Sequence, residues 1–370
     1  MRLPALTVLI ALALAVLPAT AAAERSVPRG WLGVIADGPL TSGGAMDGEW
    51  DLMASSGAES VRTAFYWPSA QRHGNTPPDL ARLDGVVLQA ARRGLPVLPI
   101  VTGTPGWAAS RGHDETSPPR DNKLYTAFLR TLVARYGPLG SLWAEHPEVA
   151  ARPIRDWQIW NEPNLTRYWS PPRGQGFARS YVKLLEAADR ALKSADRGSR
   201  TILAGLPNES WMTLRRIYRR GGRGAFDAVA LHPYTGKPRN VVRLVELARK
   251  EMRRHRDGRK PIWITELSWP AAKGKTRNTT GFETTDRGQA RRLSEGLRLL
   301  AKARKRLRIQ RVLWYTWLSR ENSPNSFDYS GLRRVRGDRI VSVPALAAFR
   351  TTARRLEGCA KAPGDATRCR

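Results

Sequence analysis

Between residues 31 and 356, apolar runs of strand length alternate with helical stretches eight times, and this alternation constrains the fold more than any other feature. The strand runs are 31–37, 59–67, 95–101, 154–161, 201–206, 226–231, 262–266 and 311–317. Helical spacing follows each of them, at 49–56, 79–93, 122–136, 176–195, 210–220, 241–254, 285–305 and 343–356. In 79–93, for example, Leu80, Leu83, Val87 and Ala91 share one helical face. A helix after every strand returns the chain to the same end of the sheet, so the strands pair in parallel. Eight such units predict closure into a (β/α)8 TIM barrel. No low-complexity linker, repeat or appended module interrupts them, and 370 residues is ordinary for one barrel, so 24–358 reads as a single domain.

Barrels of this kind place their chemistry at the carboxyl ends of the strands, and two of the expected strands end in glutamate. The fourth runs through Asp156-Trp157-Gln158-Ile159-Trp160 into Asn161 and Glu162, and Pro163 stops it. The seventh is Ile262-Trp263-Ile264-Thr265-Glu266, followed by Leu267-Ser268-Trp269-Pro270. Two carboxyls at two strand ends suit the cleavage of a glycosidic bond. Its transition state resembles an oxocarbenium ion, so a proton must reach the leaving oxygen while negative charge meets the anomeric carbon. Glu162 fits the first task and Glu266 the second. A retaining mechanism then requires the carboxyls to lie about 5–5.5 Å apart.

Trp160-Asn161-Glu162-Pro163 on one strand and Ile264-Thr265-Glu266 on a later one resemble the clan of retaining glycoside hydrolases built on (β/α)8 barrels. Within it the chain looks most like the family 39 xylosidase-like members and bacterial exopolysaccharide hydrolases. The resemblance implies Glu162 as acid/base, Glu266 as nucleophile and a covalent glycosyl-enzyme. It implies that Asn161 binds the sugar 2-hydroxyl, and that Tyr234 of His232-Pro233-Tyr234 donates to the nucleophile. It also implies His232 on the acid/base side of the cleft, and Trp317 of Trp314-Tyr315-Thr316-Trp317 beneath the sugar at the cleaved bond. Arg62 would stand beside the nucleophile, where a fixed cation keeps a carboxylate ionised. Trp67, Trp107, Trp169 and Trp269 fall in loops on the same face and are candidate sugar platforms; 13 Trp is more than packing tends to use. Long loops at 102–120, 164–174 and 271–282 point to an elongated cleft and endo-action on a polysaccharide. The alternative is a catalytically inactive barrel that binds an envelope glycan and needs neither glutamate.

Met1-Arg2, an apolar stretch to Pro18 and Ala19-Thr20-Ala21-Ala22-Ala23 read as a secretory signal over 1–23. Its apolar core is short for a membrane span, so none is expected after cleavage. Export makes sense of the two cysteines, Cys359 and Cys369, which would close a disulfide loop in a tail at 359–370. The formal charge of +30 is spread over all the expected helices, with a denser run at 302–311. Scattered in this way it reads first as a solvated Arg-rich surface, and it also suits an anionic polymer substrate or an anionic envelope. With no zinc-finger, helix-turn-helix or RNA-binding signature, no nucleic-acid partner is expected. The five histidines lack metal-ligand spacing, and there is neither a phosphate-binding Gly-rich loop nor a Gly-x-Ser-x-Gly elbow, so no metal or cofactor is expected. The sequence thus predicts a secreted, monomeric, retaining β-glycosidase acting on a poly- or oligosaccharide, an anionic one included.

Overall fold

The computed structural model describes residues 25–42, 46–321 and 324–358; the expected signal sequence and the cysteine-bearing tail lie outside them. Strands 1 to 4 are Leu32–Ile35, Val61–Tyr66, Val97–Thr102 and Asp156–Ile159. Strands 6 to 8 are Val229–His232, Ile262–Leu267 and Ile309–Trp314. Strand 5 comes in two pieces, Arg200–Ile202 and Leu206–Pro207. All pairings in this sheet are parallel, in the order 5-4-3-2-1-8-7-6 and back to 5. The first piece of strand 5 pairs with strand 4 and the second with strand 6. Bridges from Ile202 to Ala228 and from Asn161 to Gly205 join the edges across the break. Nine segments therefore make an eight-stranded closed barrel, as expected. A Cβ on Gly205 would lie 1.9 Å from Nε2 of His232. The ring occupies the room that a side chain at 205 would need.

Each strand lies between a filled barrel interior and the outer helices, so both of its faces are covered; every residue of strands 1, 4 and 6 is buried. Leu98, Ile202, Ala228, Ala230 and Trp263 form an apolar plug from alternate positions of strands 3, 5, 6 and 7. Towards the amino ends of the strands, Arg311 and Arg200 lie over the Trp263 ring at 4.1 and 5.5 Å, and both pair with Asp156 at 2.9 and 2.6 Å. The next layer towards the carboxyl ends is polar and equally buried: Arg62, Gln158, His232 and Thr265. Outside, Asn122–Tyr136 and Phe177–Ala195 are tied to the barrel by Tyr125 and Tyr181, which donate to the carbonyls of Val101 and Ile159.

One expected boundary is corrected. Strand 8 ends at Trp314, and the chain turns aside at Tyr315. Leu318–Arg320 then pairs in parallel with Arg333–Arg336, which pairs antiparallel with Arg339–Ser342. The sequence reading did not contain this three-stranded sheet, because its arginines look like solvated surface. Instead, Arg333 forks onto Glu49, and Arg334 is fully buried against Glu321, Gln289 and Asp286. Among the described residues no helix is long and apolar enough to cross a membrane.

Candidate active site

A cleft of about 450 Å³ opens at the carboxyl ends of the strands. Strand 4 enters it by an unusual turn: Trp160 and Glu162 have φ of 71° and 44°. Left-handed backbone at such residues costs on the order of 1–2 kcal/mol each and persists only where the surroundings enforce it. Here Trp160 donates its indole N–H to the Tyr168 carbonyl at 2.7 Å and packs edge-on against Trp169 at 4.8 Å. The Glu162 N–H donates to the Gly205 carbonyl at 3.2 Å, in the break of strand 5. A regular pleat would send Asn161 and Glu162 to opposite faces, whereas this turn brings both to the cleft.

Glu266, next to last in strand 7, lies opposite them. Its Oε1 accepts from Arg62 Nη1 at 2.8 Å and its Oε2 from the Tyr234 hydroxyl at 2.8 Å. Arg62 also donates through Nη2 to Asn161 Oδ1 at 2.9 Å and through Nε to Gln158 Oε1 at 2.7 Å. That last bond fixes the Gln158 amide, which donates to the Leu203 carbonyl and, at 3.4 Å, to Thr265 Oγ1. The Thr265 hydroxyl is then free to donate to His232 Nε2 at 3.0 Å, and Nδ1 of the same ring lies 2.8 Å from Glu162 Oε1. One hydrogen is shared between Nδ1 and that carboxyl oxygen. One chain of hydrogen bonds therefore runs from the cation on Glu266 to the carboxyl of Glu162. The two carboxyls and the His232 ring each place an atom within 4.8 Å of the others. Of the three, Glu266 is the one paired with the Arg62 guanidinium.

Burial by itself would raise the Glu266 carboxyl. The charge of His232, the Arg62 guanidinium and the Tyr234 hydroxyl outweigh it and hold Glu266 below the usual glutamate range. Tyr234 moves the other way: burial, then the neighbouring Glu266 charge, push its hydroxyl well above the usual tyrosine range, so it stays a donor.

No family model matches the chain. A β-xylosidase from Geobacillus stearothermophilus is 31% identical over 131 residues, which is 33% of this chain and 22% of the relative, so the match spans about a fifth of that protein. Solved structures extend the likeness over nearly the whole chain. A family 39 glycoside hydrolase from Bacteroides cellulosilyticus superposes with a TM-score of 0.65 at 18% identity, covering 89% of this chain and 64% of that one. A monomeric β-xylosidase from Caulobacter crescentus gives 0.66 at 18%, covering 89% and 69%. The fold is that of the (β/α)8 glycoside hydrolases.

On this glycoside hydrolase fold, Glu162, Glu266, Asn161, Tyr234 and Arg62 all line the one cleft. His232 does not line it; wholly buried, it sits beneath and between the two glutamates. Trp317 is a correction. With strand 8 ending three residues early, its indole points away and donates to Glu49 at 3.0 Å in the helix after strand 1. Tyr315 lines the cleft instead. The four loop tryptophans are no platforms either. Trp67, Trp169 and Trp269 are buried in the core, and half-buried Trp107 packs on Trp67 at 5.6 Å.

The sequence reading missed several residues of this site. Asp37, at the end of strand 1, lines the cleft, and burial pushes its carboxyl up against the hydrogen bonds from Ala64 and Thr63. Tyr66, ending strand 2, donates to Glu115 Oε2 at 2.6 Å. Arg167 and Tyr168 come from the loop after strand 4, and Phe327 from the segment after strand 8. The position of Asp37 and Tyr66 at strand ends was a readable signal; the loop residues carried none.

Proposed function

We propose that the protein is an exported, monomeric, retaining β-glycosidase that hydrolyses a poly- or oligosaccharide through a covalent glycosyl-enzyme, with Glu162 as acid/base and Glu266 as nucleophile. The approach of the two carboxyls to within 4.8 Å carries this reading. It suits the roughly 5–5.5 Å separation of retaining glycosidases, not the roughly 6.5–9.5 Å that leaves room for an inverting water. The partial likeness to a β-xylosidase supports the reaction class, and the leader-like residues 1–23 support export.

In the first step Glu266 attacks the anomeric carbon while Glu162 protonates the departing glycosidic oxygen. Oε1 of Glu162 is engaged by His232 Nδ1, so Oε2 is the oxygen that delivers the proton. In the second step Glu162 takes a proton from water, which attacks the same carbon and releases Glu266. Because Asn161 Oδ1 is already occupied by Arg62, its amide N–H groups are the ones offered to a sugar hydroxyl. A cleft of about 450 Å³ suits a short stretch of sugar at a time.

A panel of aryl β-glycosides, with the anomer of the first-formed product read by NMR, tests the reading. Hydrolysis of at least one glycoside with retention is expected, and a β-xyloside is the first choice. Inversion, or binding of glycans with no turnover of any member, overturns it.

A further inference from the structure

The charges around the cleft are not evenly placed. Asp37, Glu115 and Glu266 are carboxylates at or near the mouth of strands 1, 3 and 7, and the only cation among them, Arg62, is already engaged by Glu266, Asn161 and Gln158. A second arginine lines the cleft from the other side. Arg167, on the loop after strand 4, places Nη2 3.5 Å from Glu162 Oε2, with its side chain 65% exposed and its guanidinium 4.9 Å from the Tyr168 ring centre.

The position of Arg167 conflicts with catalysis as it stands. Oε1 of Glu162 is held by His232, so the proton for the leaving oxygen belongs on Oε2, and Oε2 is the atom that faces the guanidinium. One oxygen does not serve a proton and a cation together. Arg167 must therefore leave Oε2 when substrate binds. A long, exposed side chain resting on a tyrosine face moves at little expense, provided another anion takes it.

The geometry points to Arg167 as the recognition residue for a carboxylate-bearing sugar, a uronic acid, on the leaving-group side of the cleaved bond. The inference rests on the glycosidase reading above. The leaving sugar lies past Glu162, since that residue protonates its oxygen, and this is the side from which Arg167 reaches in. A uronate there would accept the guanidinium, with two parallel hydrogen bonds available to it, and free Oε2 for the proton. The sugar being transferred has no such reason to be acidic, because it would face Asp37 and Glu266.

The test uses the full chain and its Arg167→Gln variant. An aryl glycoside panel first selects the transferred sugar. Matched disaccharides of that sugar, linked to a uronic acid or to its neutral counterpart, are then compared by kcat/KM at low and moderate salt. The wild type should favour the acidic leaving sugar, and the preference should fall about tenfold or more in Arg167→Gln, the loss of a charge-assisted contact. Arg167→Lys should recover part of it. Equal rates on the two disaccharides in the wild type, or a preference that survives Arg167→Gln, overturns the assignment while leaving the glycosidase reading intact. So does a preference that salt abolishes equally in both proteins, which belongs to the +30 surface. Failure of every aryl glycoside sinks the glycosidase reading itself.

Discussion

His232 places Nδ1 2.8 Å from Oε1 of Glu162, and this contact divides the carboxyl into a held oxygen and a working one. The other ring nitrogen, 3.0 Å from Thr265 Oγ1, connects Glu162 through Gln158 to Arg62 and so to Glu266. The two glutamates, a hundred residues apart in sequence, are therefore set by one buried polar layer.

Removing each carboxylate should fail in its own way. Glu266→Gly loses the attacking group, so turnover collapses for every substrate, and added azide should return product of inverted configuration. Glu162→Ala keeps the nucleophile, so an activated aryl glycoside should give a burst, with azide releasing product of retained configuration. The proton-transfer role alone is worth about 10²–10⁴-fold. Opposite stereochemistry in the two variants reverses the assignment, and full activity in both places the site elsewhere.

As the proposed nucleophile Glu266 must be ionised, and its carboxyl is held below the usual glutamate range. In the wild type the acidic limb of kcat/KM therefore lies below that range. Tyr234→Phe deletes one hydrogen bond that favours the ionised form, so Glu266 takes up its proton at higher pH and the limb moves upward. A pH profile of kcat/KM on an aryl glycoside measures this. A limb that stays in place, or moves down, refutes the role of Tyr234.

Gly205→Ala tests the seat of His232. A Cβ there meets the ring at 1.9 Å and backbone movement is limited by the Glu162 N–H on the 205 carbonyl, so the ring and Glu162 must both shift. A drop in kcat of about 10²-fold or more is expected, since a 1 Å displacement of a catalytic group has that effect. Circular dichroism should still report a folded barrel. Wild-type kcat would show that His232 is not held there by the missing side chain.

Asp156→Ala should destabilise the protein without touching the cleft. Asp156 is the common anion for Arg200 and Arg311, and burial already lowers the Arg311 guanidinium from its ordinary range. Leaving that cation unpaired against Trp263 costs about 3 kcal/mol, a fall of several degrees in Tm. Calorimetry decides; a Tm within one degree of wild type means that the pair adds nothing.

Arrangements that depend on local pattern were legible in the sequence. Eight alternations of strand and helix are a matter of hydrophobic period and length, and they predicted the closed parallel barrel. Glu162 and Glu266 could be picked out because each lies where an apolar strand run gives way to the loops at the mouth of such a barrel. Asn161, Tyr234 and Arg62 came from the resemblance and do meet in the cleft.

What the sequence could not supply was decided by contacts between distant segments. Whether Trp317 or Tyr315 faces the mouth depended on where strand 8 ended, and that was set by the pairing of 318–320 with 333–335, which has no local signature. Arg333 and Arg334 looked like surface because nothing near them in sequence announces Glu49, Glu321 or Asp286 as partners. Gly205 fell inside the expected fifth strand, 201–206, and nothing local marked it; His232, 27 positions later, fills the space beside it. Periodicity records which side of an element is buried. It does not record what lies on the other side of the contact, and in this protein those unseen partners are Arg62 and Tyr234 on Glu266 and His232 on Glu162.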